Sequence, residues 1–90
     1  MEYKQKEPIN EHFGEIVRKY REARGISQEE LSRMCDLVIY DDTERNMKGV
    51  SRDYIGRIER GESNVTLLKC YKIANAFGVR LYEMFQDLPE

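Results

Sequence analysis

Residues 51–61 read Ser51-Arg52-Asp53-Tyr54-Ile55-Gly56-Arg57-Ile58-Glu59-Arg60-Gly61, and this stretch decides how the rest of the chain is organised. Ser51 suits an N-cap because its hydroxyl can accept a hydrogen bond from the first free amides of a helix. Gly61 can end that helix in the left-handed conformation. Ile55 and Ile58 share one face at helical spacing, whereas the three arginines lie elsewhere. The pattern predicts a short helix with an apolar underside and a cationic outer side, which suits a nucleic-acid groove but also any solvated surface.

Size and composition indicate one folded domain. The chain has 90 residues, of which 40% are hydrophobic and 36% charged, as in a helix-rich soluble protein and unlike a disordered one. No apolar run approaches the roughly 18–20 residues of a membrane span, and the N-terminus has no signal-peptide pattern, so we expect a cytoplasmic location without membrane contact. The net charge of −2 counts against non-specific coating of nucleic acid but allows a local basic face.

The residues that bind metals in proteins are few and far apart here. Cys35 and Cys70 lie among apolar neighbours in helical patterns, which favours two buried thiols over a disulfide or redox pair. With His12 they give no metal-ligand spacing. The sequence therefore predicts no metal and no cofactor; no small-molecule ligand is evident, and an inducer is left open.

The N-terminal part predicts a loose arm followed by a first helix. Residues 1–9 form the arm, with Ile9 as a possible hydrophobic staple. Asn10 is the expected cap of a helix from Glu11 to Arg24, with Gly25 as its stop. The stripe that faces a core at helical spacing is Phe13, Ile16, Val17 and Tyr20.

A second helix begins with a capping box. Ser27 is its N-cap and Glu30 its N3 residue, ahead of the apolar Leu31. Because Val38 and Ile39 continue the register, we infer that this helix extends to about Tyr40. The residues that follow, up to Gly49, have no convincing period and are interpreted as a loop.

Two more helices follow residues 51–61. Thr66 is the expected N-cap of the fourth helix and Gly78 its stop. Its inward side is predicted to be Leu67, Cys70, Tyr71, Ile73, Ala74 and Phe77. A short fifth helix carries Leu81, Met84 and Phe85, and residues 86–90 form a tail. The fold class is all-α, with five helices in a single domain.

In this order the elements resemble the XRE, or Cro/CI-type, helix-turn-helix family of bacterial and phage regulators, from Phe13 to Phe85. The matching pieces are Arg21 with Arg24-Gly25-Ile26-Ser27-Gln28-Glu29-Glu30-Leu31, then residues 51–61, then Leu67, Ile73-Ala74, Phe77-Gly78-Val79, Leu81 and Met84-Phe85. The resemblance implies a compact lambda-repressor-like domain, in which the third helix lies in the major groove and the second crosses above it.

The resemblance also implies roles in reading bases. Arg52, Asp53 and Arg57 would meet base edges, since an arginine fork fits guanine and a carboxylate can accept from the cytosine amino group. Asp53 could instead only orient Arg52 or Arg57, because a carboxylate beside phosphates is unfavourable.

Other residues match the family's phosphate contacts. Gln28, at the start of the second helix, resembles the family's phosphate-clamping glutamine, and the free amides of that helix terminus would add to the attraction. The corresponding candidates elsewhere are Tyr54, Arg60, Ser63, Asn64 and Thr66. For Thr66, a role as helix cap alone is an equal alternative.

One pair of residues matches a structural ion pair of the family. Arg21 and Glu59 would form a partly buried salt bridge between the first and third helices, which fixes the orientation of the recognition helix. For Arg21 this role is preferred over a DNA contact, because Glu59 otherwise lacks a partner.

The chain departs from the family between the second and third helices, where about thirteen extra residues, 37–49, intervene. Slow growth of loop-closure entropy with length lets the two helices dock regardless. Three interpretations compete for this insertion: a tolerated surface loop, a lengthened helix whose Val38, Ile39 and Tyr40 pack against Met47 or a second subunit, and a DNA contact by Arg45, Asn46 and Lys48.

These observations predict a sequence-specific, DNA-binding transcription regulator, such as a repressor, that binds a two-fold operator on double-stranded DNA as a homodimer. The expected recognition helix is residues 51–60. The expected dimer face is the fifth helix with Leu81, Met84 and Phe85, and the alternative for these three residues is the core, where some of them are expected. The alternative is a protein-interaction module, such as an antitoxin or a partner-binding regulator. An enzyme is not expected, because the sequence has no catalytic triad pattern and no phosphate loop.

Overall fold

The computed structural model describes residues 7–36 and 50–89, which form five α-helices and no strand. In chain order the helices are α1 (Pro8–Ala23), α2 (Gln28–Asp36), α3 (Arg52–Glu59), α4 (Leu67–Phe77) and α5 (Leu81–Phe85). The predicted all-α class is confirmed. The insertion 37–49, the predicted extension of α2 to Tyr40 and residues 1–6 of the predicted arm lie outside the described residues.

Helix α1 begins earlier than its sequence predicts. Pro8 occupies the first turn, where its missing N–H costs nothing, and Glu7 takes the N-cap position. Asn10 is therefore inside the helix, and its amide Nδ2 donates to Asn64 Oδ1 at 2.6 Å. The predicted arm was wrong for Pro8 and Ile9, which are helical. Ile9 is 47% exposed and does not act as a staple.

The predicted start of α2 and the predicted start and stop of α4 are confirmed. Ser27 Oγ accepts from the Glu30 N–H at 3.0 Å and Glu30 Oε1 accepts from the Ser27 N–H at 2.8 Å, which completes the capping box of α2. Thr66 Oγ1 accepts from the Lys69 N–H at 3.2 Å and so caps α4. Gly78 ends α4 in the left-handed conformation with φ of 77°.

The core lies between α1, α3 and α4 and includes the buried side of α2 and the middle of α5. Its buried apolar residues are Phe13, Ile16, Val17, Leu31, Cys35, Val50, Ile55, Ile58, Cys70, Ile73, Ala74, Phe77 and Met84. The predicted inward stripe of α1 is among them, with Tyr20 partly buried against it. Apolar burial at roughly 25 cal/mol per Å² is the main stabilising term for such a cluster.

The inward side of α4 differs from its prediction at two positions. Leu67 is 68% exposed and Tyr71 is 46% exposed, so neither faces the core. Lys72, which was not predicted to be inward, is only 5% exposed. The apolar residues of α4 cover more than one face of the helix, so periodicity alone could not say which of them the other helices bury.

Cys35 and Cys70 are both buried thiols, as their apolar surroundings predict. Burial raises the pKa of the Cys70 thiol to about 11, because a thiolate would have to form away from water. Cys70 therefore stays protonated at neutral pH and behaves as a small apolar residue.

The C-terminal segment, from Arg80 to Leu88, packs against the rest of the domain. The Arg80 backbone N–H donates to Glu83 Oε1 at 2.8 Å, which fixes the start of α5. Leu88, within the predicted tail, packs against the core. Among the described helices, none combines the length and the apolar character needed to cross a membrane.

Helices α1 and α3 approach each other closely at Gly14. A Cβ atom at this position would collide with the Ile58 carbonyl oxygen and would lie 2.9 Å from the carbonyl oxygen of Glu59. Glycine is needed here because the backbone of α3 occupies the space of a side chain. This contact brings the buried end of α3 within reach of the charged residues of α1.

Candidate nucleic-acid interface

Helix α3 presents its arginines because both its ends and its underside are fixed. Ser51 Oγ accepts from the Tyr54 N–H at 3.0 Å, and Gly61 adopts φ of 77° after the last turn. Ile55 and Ile58 are 0% and 1% exposed on the underside. The outer side of the helix therefore faces solvent, as its sequence predicts.

A shallow groove of about 400 Å³ runs along this outer side, between the start of α2 and the face of α3. The residues that line it are Gln28, Arg52, Asp53, Gly56, Arg57 and Arg60. All three residues predicted to meet base edges are in this set, together with two of the predicted phosphate contacts. Gly56 also lines the groove, and a Cβ there would lie 3.2 Å from Arg60 Nη1 and 3.5 Å from Gln28 Oε1.

The predicted base-reading side chains are exposed. The side chains of Arg52 and Asp53 are 62% and 90% exposed, and Arg52 Nη2 lies 3.9 Å from Asp53 Oδ1. An exposed pair at this distance is weak. The guanidinium of Arg57 lies 5.4 Å from the centroid of the Tyr54 ring. These side chains are available to a ligand at little energetic cost.

The buried end of α3 carries an ion pair. Glu59 has a side chain that is 1% exposed, and its carboxylate accepts from Arg21 Nε at 2.7 Å and from Arg21 Nη2 at 3.1 Å. Arg21 Nη1 also donates to the Ile26 carbonyl at 2.9 Å. The hydrogen bond to Glu59 is the main cause that raises the pKa of Arg21 above its ordinary value. Arg21 and Glu59 are the pair that the family resemblance implies, and they join α1 to α3.

Two further donors reach Glu59, and sequence reasoning missed both. Gln28 Nε2 donates to Glu59 Oε1 at 3.0 Å, and Arg18 Nε lies 3.6 Å from the same oxygen. The buried carboxylate thus connects α1, α2 and α3. No local sequence signal marks the Gln28 contact, because its partner is thirty-one residues away. Gln28, which is predicted to bind a phosphate, therefore uses one of its two amide hydrogens in a bond to Glu59.

The remaining phosphate candidates have different surroundings. Arg60 Nε lies 3.2 Å from Glu62 Oε2, and Asn64 Oδ1 accepts from the Asn10 amide. Thr66 Oγ1 is occupied by the cap of α4, which favours the structural alternative for this residue. Ser63 is half-buried and lies in the segment that joins α3 to α4.

The predicted dimer face on α5 needs a correction. Met84 is 0% exposed and belongs to the core, so it cannot contact a second subunit. Leu81 and Phe85 are half-buried, and the Phe85 ring meets the edge of Phe13 with 6.1 Å between centroids. The residue of α5 that does face solvent is Tyr82, which is 58% exposed. Met84 is buried because α5 is short and packs directly on the other helices.

Within residues 7–36 and 50–89 no group of three or more His, Cys, Asp or Glu side chains could hold a metal ion. The arrangement that the described residues do form is a helix-turn-helix: α3 is held from below, α2 packs against it, and cations line the groove between them.

Comparisons with known proteins agree with this arrangement. The helix-turn-helix family model HTH_3 matches residues 47–84. The chain is 32% identical over 81 residues to the control protein C.MunI of a Mycoplasma species, which covers 89% of this chain and 92% of that protein. It is 34% identical over 68 residues, or 76% of its length, to a hypothetical transcription factor of Neisseria meningitidis, of which it spans about half (52%).

A solved structure supports the same relationship. The restriction-modification controller protein C.AhdI from Aeromonas hydrophila superposes with a TM-score of 0.67 at 33% identity, over 84% of this chain and 91% of that one. The chain belongs to the XRE (Cro/CI-type) helix-turn-helix family of DNA-binding transcription regulators, which is not a family of enzymes.

Proposed function

We propose that this protein is a sequence-specific transcription regulator that binds a two-fold DNA operator as a homodimer, with α3 in the major groove. The observation that carries the proposal is the groove beside α3. Exposed guanidinium groups line this groove, and the ion pair of Glu59 with Arg21 fixes the helix on its buried side. A helix with this support can enter the major groove without losing its own packing.

Arg52 and Arg57 are the proposed base-reading residues. Both line the groove, and neither is engaged in a buried contact. A bidentate fork to guanine O6 and N7 is worth about 1–3 kcal/mol of discrimination against a wrong base. Asp53 is not assigned a base contact, because its exposed carboxylate, 3.9 Å from Arg52, would be unfavourable beside the phosphates.

The phosphate contacts are assigned to Gln28, Arg60 and the segment that carries Ser63 and Asn64. Gln28 has two amide hydrogens, and the one that remains after the bond to Glu59 can reach a phosphate at the start of α2. Free backbone N–H groups at that helix terminus add attraction for the same anion. Gln28 would thereby couple the buried carboxylate to the DNA backbone.

Pairing of two chains through α5 would place two recognition helices on one operator. Tyr82 is exposed there, and Leu81 and Phe85 are half-buried beside it, so a second copy could cover all three. Sedimentation should report a dimer, and Tyr82→Glu should convert it to a monomer because a charge in an apolar interface is unfavourable. Ile9→Glu makes the same change at an exposed residue of α1 and should leave the dimer intact. A dimer that tolerates Tyr82→Glu would place the interface elsewhere.

The name of C.AhdI, a restriction-modification controller protein, supports a role as a controller of restriction–modification genes, and C.MunI is likewise named a control protein. The similarity to C.MunI extends over nearly the full length of both chains, and C.AhdI shares the fold at a similar identity. Under this proposal the regulator acts at a defined promoter site and does not coat DNA generally.

Selection of bound duplexes from a random pool tests the proposal. The expected result is one enriched sequence with two-fold symmetry, whose half-sites lie about 34 Å apart, and binding that weakens steeply as salt rises. A pool without any enriched sequence would overturn it. A salt-resistant complex with a protein, together with no binding to duplex, would favour the interaction module instead.

A further inference from the structure

The ring of Tyr54 on α3 lies next to two cations that belong to different helices. The guanidinium carbon of Arg57 is 5.4 Å from the ring centroid, and the Nζ atom of Lys69 on α4 is 4.7 Å from it. Both distances fall within the roughly 6 Å range of a cation–π contact. Tyr54 and Lys69 are both half-buried, so each side chain is partly enclosed by the surrounding protein.

Arg57 and Lys69 differ from Arg52 and Arg60 in having no carboxylate of the described residues close by. Arg60 has the Glu62 carboxylate at 3.2 Å and Arg52 has Asp53 at 3.9 Å. Over residues 7–36 and 50–89, no carboxylate oxygen lies within 4.0 Å of the charged nitrogens of Arg57 or Lys69. The aromatic ring takes the place of the carboxylate, and it attracts both cations without cancelling their charge.

The two charges are close enough to act on one ligand. Since both distances are measured to the same centroid, the charge centres lie within about 10 Å of each other. This separation is near the Debye length of roughly 8–10 Å, so their mutual repulsion is only partly screened by salt. An anion beside Lys69 offsets that repulsion and leaves Arg57 able to meet a base edge. The DNA backbone carries one such anion per nucleotide.

We propose that Lys69 binds a phosphate of the DNA backbone beside α3, and that Tyr54 is the positioning residue that holds Lys69 there through its ring. The inference rests on the proposed function and adds a contact from α4, which the sequence did not reveal. Lys69 belongs to no sequence motif, and its contact with Tyr54 depends on where the fold places α4 relative to α3. The ring, and not only the hydroxyl, is then the part of Tyr54 that matters for binding.

The first experiment measures the salt dependence of duplex binding for Lys69→Gln. The slope of log K against log salt is negative, and one lost phosphate contact should make it less steep by about 0.9. The affinity deficit relative to the parent should therefore shrink about 3.5-fold between 50 and 200 mM salt. The deficit should be equal on the selected operator and on random duplex, because a phosphate carries no sequence information.

Lys19→Gln is the matched control, since it makes the same charge change at an exposed residue of α1 outside the groove. It should leave the slope at the parent's value. An unchanged slope for Lys69→Gln, or an equal drop for both variants, would overturn the inference.

The second experiment tests the ring by combining variants. Tyr54→Phe keeps the aromatic face, so Lys69→Gln should change the slope as much in that background as in the parent. Tyr54→Leu removes the face, and Lys69→Gln should then change the slope by less than half as much. Circular dichroism confirms the fold of each variant before binding is measured. Equal effects of Lys69→Gln in all three backgrounds would overturn the positioning role of Tyr54.

The two levels of the proposal fail in distinguishable ways. A parent protein that binds no duplex at any salt concentration would overturn both the proposed function and the Lys69 contact. A parent that binds duplex steeply, with a Lys69→Gln variant of identical slope, would overturn the Lys69 contact alone.

Discussion

The two carboxylates of α3 lie six residues apart in opposite surroundings. The Glu59 side chain is 1% exposed and receives donors from Arg21 and Gln28, whereas the Asp53 side chain is 90% exposed with Arg52 at 3.9 Å. A buried carboxylate is tolerable only when its oxygens are satisfied, and an exposed one is solvated by water. One helix thus has an inner end that holds it in place and an outer face that is free to meet a ligand.

This difference separates the expected effects of mutation. Changes around Glu59 should lower the free energy of unfolding, because they leave a charge or donor unpaired away from water. Changes around Asp53 should alter DNA binding and leave stability nearly unchanged, because exposed side chains make few contacts to lose.

The largest expected effect follows from Arg21→Met. This change leaves the Glu59 carboxylate without its main partner, so the free energy of unfolding should fall by about 3–5 kcal/mol. Urea denaturation followed by circular dichroism measures it. Arg18→Met is the control, because Arg18 lies 3.6 Å from Glu59 and its side chain is 48% exposed. Its removal should cost less than about 1 kcal/mol. Equal losses for the two variants would contradict the assignment of Arg21 as the main partner.

An intermediate effect is expected from Gly14→Ala, which tests how tightly the inner end is seated. The new methyl group would collide with the Ile58 carbonyl oxygen, and forcing α1 and α3 apart should cost about 1–3 kcal/mol despite the better helix propensity of alanine. Thermal and urea unfolding report the loss. Glu15→Ala, at the exposed neighbouring position, should be nearly neutral. A stabilised Gly14→Ala protein would show that the two helices do not touch there in solution.

The smallest effect belongs to the outer face. Asp53→Asn removes an exposed negative charge beside the proposed phosphate contacts, so affinity should rise roughly two- to fourfold on operator and random duplex alike. Titration of labelled duplexes measures both affinities, and unfolding in urea should match the parent. A loss confined to the operator would instead make Asp53 a base-reading residue.

The features predictable from sequence were those with local causes. The caps at Ser27, Ser51 and Thr66 depend on a side chain and an amide three residues away, and all three form as predicted. The predicted start of α1 was wrong. Asn10 bonds to a side chain fifty-four residues away and does not cap the helix, and Pro8 occupies the first turn. A cap is visible in a few residues, but competition from a distant partner is not.

The site shows the same limit. Periodicity placed the arginines of α3 outward, and they line the groove. It could not show that Gln28 donates to Glu59, that Met84 is taken by the core or that Lys69 reaches Tyr54. Each of these contacts joins two helices, so each depends on how the helices pack and not on the order of residues within one of them.

The central claim is that the outer face of α3 recognises DNA while its inner end only supports the helix. The most direct test is the ratio of operator to random-duplex affinity for the double variant Arg52→Ala/Arg57→Ala. The account predicts that the ratio falls by at least tenfold, since each base contact is worth about 1–3 kcal/mol, while the free energy of unfolding stays within about 1 kcal/mol of the parent. A double variant that discriminates as well as the parent would contradict it.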